Sequence, residues 1–170
     1  MTTVTLLDKA YGSFSQQRFE AMLSFLCEDL GVKIRVKDKT AREWIQIDIA
    51  GEDEPVALKL LDRELGLAPV SADAVGKFSS LRGKDIGSDK STTELRVDVG
   101  VLEPRVYDAV VSLQRLQAQL ADGMILTLQH MIQLFCLVNF MPLHIKIVGD
   151  LNVAGGSWQA ELSELQLSQF

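Results

Sequence analysis

Val32-Lys33-Ile34-Arg35-Val36-Lys37 and Trp44-Ile45-Gln46-Ile47-Asp48-Ile49 decide how the first half of this chain folds. In both runs every second residue is aliphatic and its neighbours are polar or, in the second run, include an indole. A backbone that alternates sides at each residue turns this pattern into a strand with one apolar face. The polar stretch at 38–42 joins the two runs, so together they predict a hairpin. Upstream, Ser15 opens a different period, in which Phe19, Met22, Leu23, Leu26, Cys27 and Leu30 recur three and four apart and Gly31 stands as the stop. Downstream, an acidic turn at 51–54 leads to Pro55, suited to a first helical turn, and Leu58, Leu61 and Leu65 mark an apolar face that ends at Gly66.

A short apolar run at 4–7 precedes all of this. The order is strand, helix, strand, strand, helix, to be closed by a strand beyond Pro69, which is the split ferredoxin-like pattern. Pro69, Ser71 and Asp73 break the helical period between 68 and 76, placing a boundary between domains at 1–75 and 76–170. In the second half a weak run at 77–86 and a polar turn at 87–92 lead into Leu95-Arg96-Val97-Asp98-Val99-Gly100-Val101, a strict alternation up to Gly100. A strand at 109–113, helical patterns at 113–120 and 126–138, and strands at 143–148 and 158–162 follow, the last beyond a Gly155-Gly156 turn. Three strands, a helical crossover and two strands is the order of an OB fold. The expected class is α+β, with a ferredoxin-like N-terminal half packed on an OB-like β-barrel half.

With 170 residues, 47% of them hydrophobic and 24% charged, the chain has the composition of a folded protein rather than a disordered or collagen-like one. Cys27 and Cys136 lie far apart within apolar patterns, which is no disulfide framework, and the N-terminus lacks the basic cluster and apolar run of a secretory signal. The expected compartment is the cytoplasm. No residue between Asp122 and Lys146 carries a full charge, but Gln129, His130, Gln133, Asn139 and Pro142 interrupt the interval, so a buried helix followed by a strand is expected there, not a membrane span.

Arg82-Gly83-Lys84, the run at 95–101 and Ala109-Val110-Val111-Ser112-Leu113-Gln114-Arg115-Leu116 together resemble the ribosomal S-one type of OB-fold RNA-binding domain over residues 76–170. That resemblance implies RNA as a partner. Where the family places aromatics that stack on bases, this chain has Leu95, Val97, Val110 and Val111. The whole chain also resembles an uncharacterised archaeal family that carries a domain-of-unknown-function label, most closely in the run at 96–101, at 113–123 and at Ile49-Ala50-Gly51-Glu52-Asp53-Glu54. This second resemblance implies an archaeal cytosolic protein, supplies no catalytic residues, and suggests a chain continuing beyond Phe170.

The motifs that carry catalysis are missing from the sequence: there is no G-x-S-x-G elbow, no phosphate-binding P-loop, no G-x-G-x-x-G and no H-E-x-x-H. Neither a catalytic residue, a metal site nor a cofactor is expected. His130 and His144 read as structural. Asp48, Glu52, Asp53 and Glu54 could hold a hard cation, but acids at the start of a helix also complement its dipole and cap its amides, which is the stronger reading. Asp98 falls beside Arg96 on a polar strand face, where a solvated ion pair suffices.

The strongest functional signal is basic. Lys33, Arg35, Lys37, Lys39 and Arg42, opposed only by Asp38, make five cations against one anion in a chain whose net charge is -6. A period of two projects Lys33, Arg35, Lys37 and Lys39 from one face, with Trp44 and Gln46 on the same side of the next strand. Phosphates paired with the cations and a base stacked on Trp44 would make a platform for single-stranded or structured RNA, extended by Arg82 and Lys84. The bland counterpart is an edge strand guarded by lysines, with Trp44 covered by another element. The alternative function is a protein-interaction module, using the apolar segment from Met124 to Met141 as core, as an oligomer interface or as a partner surface.

Overall fold

The computed structural model describes residues 1–86 and 93–170, so the polar turn expected at 87–92 lies outside the described residues. Contacts divide the chain into two compact units, Met1–Ala68 and Pro69–Phe170. The division falls inside the 68–76 stretch, ahead of the expected position. A short 3-10 helix at Ala72–Ala74 goes with the second unit, where the Ala72 N–H donates to the Glu103 carbonyl at 3.0 Å.

In the first unit, strands β1 (Thr2–Lys9), β2 (Val32–Lys39) and β3 (Trp44–Gly51) form an antiparallel sheet in the order β1-β3-β2. Helices α1 (Gln16–Leu26) and α2 (Glu54–Glu64) supply Leu23, Ala57 and Leu61 to a core with Ile45, Ile47 and Ile49 of β3. Those isoleucines are the alternate residues that the period of two assigned to the apolar face. Ser15 caps α1 as expected, accepting from the Arg18 N–H. The helix stops at Leu26, short of the expected Leu30. Tighter bonds from Glu28 to Phe25 and from Leu30 to Cys27 take over, and the Gly31 N–H is delivered to Asp53 Oδ2 at 2.7 Å. Against the outer edge of β1 lies a single antiparallel bridge, Leu6 with Leu67, flanked by hydrogen bonds from Leu7 to Gly66 and from Ala68 to Thr5. Pro69, with no N–H to give, follows directly.

The second unit is a closed barrel of β4 (Ser80–Asp85), β5 (Glu94–Val101), β6 (Tyr107–Ser112), β8 (Ser157–Leu162) and β7 (Pro142–Asn152), in that order around the ring. Every pairing is antiparallel except β6 with β8, and β7 closes the ring onto β4. Between β6 and β7 run α3 (Leu113–Leu120) and α4 (Leu128–Phe135), and a short α5 (Glu164–Leu167) follows the last strand. Leu95, Val97, Val99 and Val101 of β5 point into the barrel with Ile145, Ile147 and Trp158. Register shifts at Asp98/Val101 in β5 and Ile147/Leu151 in β7 mark bulges, the local kinks that let a five-stranded sheet curl shut. Asp98 serves the first of these. It is buried, not solvated as expected, and its Oδ1 accepts the Gly100 N–H at 3.0 Å. Arg96 turns to Glu94 at 3.1 Å and Asp108 at 3.9 Å.

Among the described residues no helix is long and apolar enough to cross a membrane. The segment from Met124 to Met141 folds as α4 and its flanks: Leu128, Met131 and Leu137 are core, while Met124, Ile125, Leu134, Val138 and Phe140 remain exposed.

Candidate functional site

The basic hairpin is built differently from the expected platform. Lys33 and Arg35 are exposed and stand opposite Ala50 and Asp48 of β3, on the sheet face away from the helices. The register then shifts between Val36 and Lys39, so that Lys39 faces Ile45, a core residue. One extra residue reverses the parity of a strand. Lys39 therefore leaves the stripe and pairs with Glu43 at 3.0 Å, while Lys37 is exposed within the irregular stretch and Arg42 is half-buried beyond it.

Trp44 is the larger correction. It stays on the face with Gln46 and Asp48, but it is fully buried. Strand β1 carries its own irregularity between Thr5 and Lys9, and this sets Lys9 opposite Trp44 with its Nζ 4.5 Å from the ring centroid. A ring already covered by a cation offers no surface to a base. Its Nε1 has no hydrogen-bond partner among the described residues.

The acids of the first unit are used separately. Asp48 accepts the Thr3 hydroxyl, Asp53 takes the Gly31 N–H, and Glu54 takes the Thr2 hydroxyl. Among the described residues no three His, Cys, Asp or Glu side chains gather where a metal ion could be held.

The barrel presents a second basic surface. On its outside, Ser80 and Arg82 of β4 stand opposite Lys146 and His144 of β7, and Lys84 stands between Pro142 and Asp98. At the head of β4 a tight turn is closed by the Ser79 N–H on the Gly76 carbonyl at 3.2 Å, and by the Gly76 N–H on Ser79 Oγ at 3.1 Å. Its third residue is Phe78, with φ 66°, a conformation that glycine or asparagine normally supplies at this point of a turn. The Phe78 N–H is tied to the Ile147 carbonyl at 2.8 Å, which fixes the turn against β7. Phe78 is 62% exposed. Lys77 Nζ lies 5.4 Å and Lys146 Nζ 5.7 Å from its centroid.

No family model, curated protein or solved structure matches this chain.

Sequence reading reached Arg82 and Lys84 but missed Lys77, Phe78, His144 and Lys146. Part of the signal was present: His144 and Lys146 alternate with Leu143, Ile145 and Ile147, which puts them outside any sheet whose interior holds the aliphatics. That they meet Arg82 and Phe78 depends on the closure of β7 onto β4.

Partial burial, with the Arg82 charge as a second cause, lowers the His144 pKa below the ordinary 6.5. The folded state thus binds fewer protons than the unfolded chain as pH falls through this range, so His144 favours folding above pH 6.5 and that contribution is lost on acidification. The urea midpoint of the protein should fall as pH is lowered below 6.5, and His144→Gln should reduce that slope. An identical slope in the variant would remove His144 from the account.

Proposed function

We propose that the protein binds single-stranded RNA on the outside of the barrel, at a site centred on Phe78. The observation that carries this reading is an exposed phenylalanine held in a glycine-type backbone conformation between two lysines. A left-handed residue costs roughly 1–2 kcal/mol, so a bulky ring there is retained against local preference, and such outliers gather at functional sites. The chemistry suits a nucleotide: the ring would stack on a base, Lys77 and Lys146 would turn from the ring to the flanking phosphates, and Arg82 would lengthen the track. Aromatic stacking needs no particular base, so the site would tolerate many sequences.

Strand order supports the fold half of the same reading. We take the ring β4-β5-β6-β8-β7, with one parallel pair and a helical crossover before β7, as an OB-like barrel. We take the first unit as a ferredoxin-like unit whose fourth strand is reduced to the Leu6–Leu67 bridge beside β1.

The test is fluorescence anisotropy with a labelled oligouridine in increasing salt. Phe78→Asn keeps a residue that accepts the left-handed backbone and removes the ring. The variant should lose roughly 1–3 kcal/mol of binding, about fivefold to 150-fold. Two neutralised phosphates predict a slope of about -1.4 in log affinity against log salt, lowered by about half in Lys146→Ala. Trp44→Phe should bind like the parent. Affinity untouched by Phe78→Asn, or insensitive to salt, would defeat the reading.

A further inference from the structure

Strand β2 is an outer strand of its sheet, with β3 on one side and a groove of about 430 Å³ on the other. The groove runs between β2 and α1, with Ser24, Cys27 and Leu30 on the helix side and Lys33, Ile34 and Arg35 on the strand side. In an antiparallel pair, residues alternate between exchanging hydrogen bonds with their partner and turning both backbone groups away from it. Val36 turns away: its N–H donates to Glu20 Oε1 at 2.7 Å and its carbonyl accepts from Gln16 Nε2 at 2.6 Å. Two side chains one helical turn apart on α1 thus do for Val36 what a neighbouring strand would do. Two residues back, Ile34 has the same orientation and directs its N–H and carbonyl into the groove.

We propose that this groove receives an extended segment of another protein as an added strand on β2, a segment in which acidic and apolar residues alternate. The alternation follows from the two walls. Side chains of an added strand that point to the open sheet face come beside the exposed Lys33 and Arg35, which favours acids there. Those that point to the helix face come over Leu30 and Cys27, with Glu20 and Glu28 near enough to repel an acid, which confines the acids to the other side. A second copy of β2 fits poorly, because pairing would set Lys33 and Arg35 of one chain against the same cations of the other. RNA fits poorly too, since the groove offers a strand's pattern of backbone donor and acceptor and none of the described side chains lining it is aromatic. Displacing Gln16 and Glu20 would extend the open edge from Ile34 to Val36.

The probe is a fluorescent peptide of about eight residues in strict Glu-Val alternation, compared with its Lys-Val counterpart. The Glu-Val peptide should bind and slow hydrogen exchange at the Ile34 amide, while the Lys-Val peptide should not bind. Lys33→Glu combined with Arg35→Glu, both exposed, should weaken the acidic peptide by about tenfold or more and transfer binding to the basic one. Ile34→Pro removes a donor that faces away from β3, a position at which an edge strand tolerates proline, and should abolish binding of the Glu-Val peptide. The charge-reversed protein keeps the test decisive if the proline variant does not fold. Absence of binding at about 1 mM peptide overturns the proposal. So does binding that leaves Ile34 exchange unchanged, or displacement of the peptide by oligouridine, which would assign the stripe to nucleic acid. The Phe78→Asn protein should take the Glu-Val peptide normally, so this result stands or falls apart from the RNA site.

Discussion

Gly51→Ala is expected to destabilise the protein by on the order of 4 kcal/mol or more, the range reserved for a backbone that cannot accept the new atom. Gly51 ends β3 with φ 151°, outside the reach of an ordinary side chain. A Cβ built there lies 2.0 Å from the Gly31 carbonyl oxygen and 2.7 Å from the Val32 Cα. Both are backbone atoms, and neither can swing aside. Val32 is the register partner of Gly51, and the Gly31 N–H is held by Asp53 at the start of α2, so relief of the clash would separate the beginning of β2, the end of β3 and α2 together. Gly31→Ala is the matched control. Its Cβ would meet only the Asp53 carboxylate, at 3.2 Å, and that side chain can give way. Urea unfolding of the two variants should show a large loss for Gly51→Ala and a much smaller one for Gly31→Ala. Equal losses would mean that the close approach of the two glycines is not what the site depends on.

Trp158→Ala should cost roughly 3–5 kcal/mol, as expected when a large buried ring is truncated and its cavity cannot collapse. Trp158 is 2% exposed and packs its ring 5.6 Å from that of Tyr107, tilted by 51°. It sits where β8 joins the barrel, opposite Ala109 in the parallel pairing with β6 and opposite Leu151 in the antiparallel pairing with β7. Its loss would therefore loosen the two seams that β8 closes. Trp158→Phe, which retains a ring against Tyr107, should recover much of the difference. The check is the denaturation midpoint of the three proteins at equal slope. A loss below about 1 kcal/mol for the alanine variant would show that the barrel interior repacks around the gap.

Much of the fold was legible because local patterns agreed with it. The isoleucines at 45, 47 and 49 alternate because β3 has one face on the helices, and Leu95, Val97, Val99 and Val101 alternate because β5 has one face inside the barrel. Ser15 at the start of α1 and the left-handed Gly66 after α2 mark their ends in the sequence. The candidate site was less legible, and the misses share a cause. Lys39 left the basic stripe because of one extra residue in β2, a change that no periodicity signals when the residues around it are all polar. Trp44 was covered because an irregularity in β1, a strand distant in sequence, brought Lys9 over its ring. Phe78 looked like part of a weak apolar run, and its exposure came from a turn whose third position would ordinarily hold glycine.

By itself, the amino-acid sequence determined the elements and their inward faces, because a helix and a strand each impose a period that burial must match. It also determined the excess of cations in the first hairpin and the order of the eight strands and the four longer helices, but not the short α5, and the closing strand expected beyond Pro69 is replaced by the single Leu6–Leu67 bridge ahead of it. Only the tertiary structure decided which of those cations share a face and which aromatics remain open. It did so by selecting bulges, registers and the closure of β7 onto β4, which bring Lys146 to Phe78 from far along the chain. Those choices are made by packing between segments remote in sequence, so no local pattern contains them.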